Sequence, residues 1–251
     1  MSTLLKVSVL VLGLLGMFLS MINMWGNSQR YQEFKSSFTT VEEKLYIAPW
    51  EQHFLLSDKP EWVLWVDVYR GANDLLLAKP WVERQKANSQ IEQSPNPTRP
   101  LIAELLNSHP QRRFILNVTN NLMGIQDQIS QLIDETKSEG RVMIQSPYNV
   151  ILDTIKEKKP LLLYGSTPSD SARLATHESL WILSAAPFRG DVFISELKSR
   201  SVDLVSPAIV KELKRRFKKV ILGPLATKEE LLTAQSLGAD GLFVEDPLLL
   251  Q

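Results

Sequence analysis

Between residues 62 and 80 the chain reads WVLWVDVYRGANDLLLAKP. At period two, Leu64, Val66 and Val68 fall on one face, and Val63, Trp65, Asp67 and Tyr69 on the other. The first set is wholly aliphatic, as a strand covered by helices requires. The second carries a carboxylate, which needs a partner if it is buried. Gly71, Asn73 and Asp74 then turn the chain, and residues 75–77 read as a short returning strand. Upstream, LYIA leads into Pro49 as a first strand.

Downstream the pattern alternates. Strands are expected at 114–119, 142–144, 161–164, 192–194, 220–222 and 241–244. Between them, Ile125, Ile129, Leu132 and Ile133 mark a helical face stopped by Gly140. Further helices are expected at 149–158, at 168–178, from Pro207, and at 228–237 with Gly238 as the stop. Residues 81–99 are polar and end rich in proline, as a loop does, and Thr98 is placed to cap a short helix carrying Leu101, Ile102, Leu105 and Leu106. Strands alternating with helices indicate an α/β fold with a parallel sheet, and the number of units favours a closed (β/α)8 TIM-like barrel. No GxGxxG or P-loop pattern supports an open nucleotide-binding sheet.

A different pattern opens the chain. Residues 7–25 are apolar apart from Ser8, Ser20 and Asn23, and uncharged. About 19 residues at roughly 1.5 Å each span a hydrocarbon core of roughly 30 Å. Trp25 and Asn23 suit the interfacial end and Lys6 the cytoplasmic end. A signal peptide is the rival reading, but a small-x-small cleavage site is lacking near residues 24–28. The expected organisation is a transmembrane anchor (1–27), a juxtamembrane linker (28–44) and a barrel (45–251). The protein is then single-pass, its soluble part periplasmic or otherwise extracytoplasmic.

Composition narrows the chemistry. Lys plus Arg and Asp plus Glu number 28 each, so no global field attracts nucleic acid. The absence of cysteine excludes disulfides, thiolate metal sites and a cysteine nucleophile. The only histidines are His53, His109 and His177, and neither of the last two suggests a ligand. Ser146 and Ser166 lack an arguable histidine–carboxylate partnership. Lys198, Arg200, Arg215, Arg216, Lys218 and Lys219 form a basic run; a solvated helix face is the commoner explanation, contact with anionic lipid the sharper one.

The C-terminal run KEELLTAQSLGADGLFVEDPL (228–248) resembles the last repeat of the glycerophosphodiester phosphodiesterase family, with its helix, Leu-Gly-x-Asp-Gly turn and apolar strand. Residues 100–106, VMIQSPYNVIL (142–152), 204–216 and WVDVYRGANDLLLAKPW resemble further family segments in the family's order. The resemblance covers most of residues 45–251. It implies a TIM barrel that hydrolyses phosphodiesters with calcium or magnesium and a pair of histidines. Yet Pro49 and Trp50 stand where the family's first strand ends in His-Arg-Gly. Trp65 replaces the glutamate of Glu-x-Asp and leaves Asp67 as the only matching metal-ligand position. Ala78 takes the place of the hairpin histidine, and Asn117 and Thr119 that of Glu-x-Lys.

One aspartate beside an asparagine is a poor site for a hard cation, and proline, alanine and tryptophan transfer no protons in this chemistry. His53 can approach the mouth but lacks a partner. We therefore expect no catalytic residue, no metal and no cofactor. Asp67, Tyr69, Asn117 and Thr119 are the candidate ligand pocket; the competing reading is a hydrogen-bonded plug helped by Trp50 and Trp65. The resulting expectation is a membrane-anchored pseudoenzyme acting as a scaffold or interaction module with other envelope proteins. The alternative is a diverged calcium- or magnesium-dependent enzyme cleaving a phosphodiester or lipid head group near the bilayer.

Overall fold

The computed structural model describes residues 3–32, 36, 38–39, 44–71, 73–81, 99–199 and 202–250. Helix α1 (Thr3–Ser28) is followed by β1 (Leu45–Pro49), β2 (Val63–Arg70) and β3 (Leu76–Lys79). Next come α2 (Ile102–Ser108), β4 (Arg113–Val118), α3 (Ile125–Glu135), β5 (Val142–Gln145), α4 (Asn149–Lys158) and β6 (Leu163–Tyr164). Then follow α5 (Pro168–Ser179), β7 (Val192–Ser195) and a small hairpin of β8 (Lys198–Ser199) and β9 (Val202–Asp203). The chain ends with α6 (Pro207–Arg215), β10 (Lys219–Leu225), α7 (Lys228–Ser236) and β11 (Gly241–Val244).

Eight parallel strands are ordered β6-β5-β4-β2-β1-β11-β10-β7, and β3 pairs antiparallel with β2. The ring closes thinly between β6 and β7, through one parallel bridge, Gly165 to Val192, and the Asp191 amide donating to Tyr164 O at 2.8 Å. The Ser166 hydroxyl reinforces the seam, donating to Ile194 O at 3.0 Å and accepting from Ile194 N at 2.8 Å. The result is a nearly closed TIM-like barrel.

The period-two alternation sorts the side chains as expected. Leu64, Val66 and Val68 join the layer between sheet and helices. Val63 and Trp65 join Ile47, Ile115, Met143, Ile194, Ile221 and Phe243 inside the barrel. Phe38, within the stretch read as a linker, belongs to the same interior cluster and is fully buried. Arg113 at the start of β4 donates to Phe38 O at 3.0 Å and lies over its ring.

Some expected boundaries move. The helix α3 ends at Glu135, where Lys137 takes a left-handed conformation (φ 49°), rather than at Gly140. No side chain caps α2, which begins after Leu101; Thr98 and the loop at 82–98 lie outside the described residues. Gly238, by contrast, stops α7 with φ 78° as expected. The helix α1 projects from the barrel: Val7–Ser28 is long and apolar enough to cross a membrane, and none of its most apolar window is buried.

Candidate functional site

The mouth of the barrel is made by the carboxyl ends of adjoining strands. Asp67 on β2 and Asn117 on β4 are register partners, so their side chains enter the interior together. Asn117 Nδ2 donates to Asp67 Oδ1 at 2.7 Å, and Trp65 Nε1 donates to the same oxygen at 2.8 Å. These charge-assisted bonds replace water around a carboxylate that is 3% exposed. The Trp65 ring stacks on Phe243 with centroids 4.7 Å apart, and Trp81 meets Phe243 edge-on at 5.0 Å.

Beside these rings is a cavity of about 500 Å³, lined among others by Asp67, Lys79, Asn117, Thr119, Gln145, Ser195 and Glu196. Gln145 Nε2 donates to Ser166 O at 2.7 Å, while its Oε1 is buried without a partner. Thr119 lines the cavity and donates to Val68 O at 3.1 Å. Tyr69 stands apart from Asp67, Asn117 and Thr119, since the described lining does not include it. Its hydroxyl accepts from Arg99 at 2.6 Å, and the guanidinium lies over its ring.

Of the two rings named for the plug, one lies in the interior. Trp65 fills the interior, but Trp50 packs against the outer layer and stacks on His53, so it is not in the barrel. Trp81 and Phe243 occupy the interior instead. The ring of His53 also packs away from the site, edge-on to His109 at 5.2 Å. Ser146 and Ser166 are fully buried, and each donates to a strand carbonyl. Arg216 is not part of a solvated face: it is 2% exposed and bound to Glu212. Arg200 lies outside the described residues.

Sequence reasoning missed Glu51. It follows β1 in a single 3-10 turn, accepts from the Trp81 amide through Oε1, and buries Oε2 without a partner. Burial pushes its carboxyl above the ordinary range and the charge of Asp67 adds to this, against the Glu51 and Trp81 amides and His53. Its place just beyond the carboxyl end of a barrel strand was the available signal.

Calcium or magnesium requires several oxygen ligands, commonly including more than one carboxylate. Here two N–H donors already converge on Asp67 Oδ1. Among the described residues no group of three or more histidine, aspartate or glutamate side chains could hold a metal. The described residues therefore do not fit the metal that the resemblance implies.

No protein-family model and no curated protein matches the chain. Solved structures do. An Oleispira antarctica phosphodiesterase in complex with its product sn-glycerol-3-phosphate shares 14% identity at a TM-score of 0.58, over 84% of this chain and 95% of that one. The glycerophosphoryl diester phosphodiesterase domain of a Mycobacterium tuberculosis protein shares 12% at 0.59, over 82% and 97%. A glycerophosphoryl diester phosphodiesterase of Parabacteroides distasonis shares 13% at 0.55, over 87% and 91%. At such identities the likeness is one of architecture: residues of this chain form a barrel of the glycerophosphodiester phosphodiesterase type.

Proposed function

We propose that this chain is a membrane-anchored, catalytically inactive phosphodiesterase-like barrel, serving as a scaffold or interaction module in a cell-envelope complex. The observation that carries this reading is the commitment of Asp67 Oδ1 to Trp65 and Asn117. A carboxylate offered to a metal would face other oxygens; this one receives two N–H donors. Pro49 and Ala78, at the positions of the resemblance's histidines, supply no proton transfer. The exposed apolar α1 supports an anchor; in this reading residues 28–44 join it to a barrel (45–251) outside the cytoplasm, and Phe38 packs that connection into the barrel interior.

The alternative is a diverged metal-dependent phosphodiesterase, and Glu51 is the observation that favours it. It places a second carboxylate within electrostatic reach of Asp67. Turnover of glycerophosphodiesters separates the two readings, using full-length protein in detergent with calcium or magnesium. A scaffold gives none, and Asp67→Ala changes only its stability. Hydrolysis that disappears in Asp67→Ala would establish the enzyme.

A further inference from the structure

The end of α1 is fastened to the floor of the barrel, the face opposite the mouth. Ser184, in the connection from α5 to β7, donates to Asn23 O at 2.9 Å. Gly26 lies so close that a Cβ there would meet Ser184 C at 2.4 Å, so only glycine fits. Arg215, at the end of α6, donates to Gly26 O at 3.3 Å, and both Arg215 and Arg216 lie over Tyr31. Beyond this joint, residues 7–18 are exposed throughout. The anchor therefore leaves the barrel beside the helix-to-strand loops.

Those loops carry bulky apolar side chains in an unusual way. After α3, α5, α6 and α7 the chain makes the same turn, with the residue past the helix cap in a left-handed conformation. Its mark is a backward bond from the next amide: Ile182 N to His177 O, Lys218 N to Leu213 O, Ala239 N to Ala234 O, and Ser138 N to Ile133 O. Glycine is the ordinary occupant of that position. Gly238 fills it after α7, but Lys137, Trp181 and Phe217 fill the other three, with φ of 49°, 61° and 56°. The two aromatics gain no burial in return: Trp181 is 85% exposed and Phe217 57%. Leu161, in the neighbouring loop after α4, is 75% exposed and follows Lys158 and Lys159. Phe217 is itself preceded by Lys214, whose side chain is 46% exposed. Strained, exposed aromatic tips beside cations are the composition of a lipid–water interface.

Accordingly, we propose that the floor of the barrel is a membrane seat: Trp181, Phe217 and Leu161 enter the bilayer interface around the exit of α1, holding the mouth away from the lipid. This rests on the membrane anchor read above and adds an orientation to it. Whatever the mouth meets then arrives from the aqueous side, not from head groups of the membrane that holds the anchor.

The chain has no cysteine, so single labels are clean. Full-length Leu12→Cys, Leu161→Cys and Met123→Cys, each carrying an environment-sensitive fluorophore, are reconstituted in phosphatidylcholine–phosphatidylglycerol vesicles containing quencher-bearing lipid. Met123 serves as the mouth-side site, in the loop after β4 and 94% exposed. The seat predicts quenching at 12 and 161 and none at 123. Quenching at 12 without quenching at 161 overturns the seat and leaves the anchor standing; no quenching at 12 overturns both. In a Trp181→Gly/Phe217→Gly background, quenching at 161 is expected to fall about twofold or more, with no drop in melting temperature, because glycine relieves the two turns. Unchanged quenching there, or a lower melting temperature with quenching intact, would make the aromatics structural and overturn the proposal.

Discussion

The two ends of the barrel use their polar side chains differently. At the floor, arginines clamp the backbone of loops and of the last turn of α2. Arg112 donates to Leu56 O and Lys59 O, Arg141 to Leu106 O at 2.9 Å, and Arg216 to Ala186 O, Leu183 O and Ser184 O. These carbonyls would otherwise need water or ladder partners, so the cations hold the loops in place. At the mouth, polar side chains mainly hold one another or a neighbouring strand, and a cavity remains between them. The floor is built for stability and the mouth retains room. In barrels of this kind function sits at the carboxyl ends of the strands, where this chain keeps Asp67, Asn117 and Gln145.

Substitutions can break that contrast. The largest loss is expected for Arg216→Ala, which removes the bonds to three carbonyls and leaves Glu212 with Arg215 alone: about 3–5 kcal/mol by urea denaturation. A loss under about 1 kcal/mol would mean that the floor is not clamped as described. Trp65→Phe keeps a ring against Phe243 but deletes one donor to Asp67, for a loss of about 1.5–3 kcal/mol. Ser166→Ala opens the β6–β7 seam by orphaning the Ile194 amide, and is expected to lose about 1–2 kcal/mol. Faster hydrogen exchange in β7 than in β2 would locate that effect.

The smallest effects are pH-dependent and opposite in sign at the two ends. Burial raises the Glu51 carboxyl, so the folded state binds its proton more tightly than the unfolded chain. The stability it contributes is full in acid and lost as pH rises through the raised value. Glu51→Gln should therefore melt higher than the parent at neutral pH, with the gap closing in acid. Burial also pushes Glu212 upward, but the bonds from Arg215 and Arg216 outweigh it and hold the carboxyl low. Its contribution is present above the ordinary carboxylate range and lost as pH falls through the depressed value. Thermal melts of Glu51→Gln and Glu212→Gln from acid to neutral pH check the two signs.

Much of the fold was legible because a parallel sheet under helices imposes a regular code. The helix α4 and the strand β11 fall on the expected residues, since aliphatic runs bounded by turns leave little choice. The end of α3 was misplaced because a lysine adopts the conformation usually reserved for glycine. Asp67 was singled out by strand parity, which fixes the face, and Asn117 by the family resemblance. Glu51 and Gln145 were not, because their importance lies in burial and missing partners rather than in local pattern. Trp50 lies past the end of β1, where parity no longer says where a side chain goes. Tyr69 lies within β2, but near the end of that strand its hydroxyl turns to Arg99.

The central claim is the proposal that the mouth does not work as a metal-dependent phosphodiesterase site. Calorimetric titration of the full-length protein in detergent tests it directly, with calcium and then magnesium, each with and without a glycerophosphodiester. The account predicts no heat of binding from a sample that melts cooperatively. Micromolar-range binding, abolished by Asp67→Ala, would contradict it and return the chain to the enzymes whose barrel it shares.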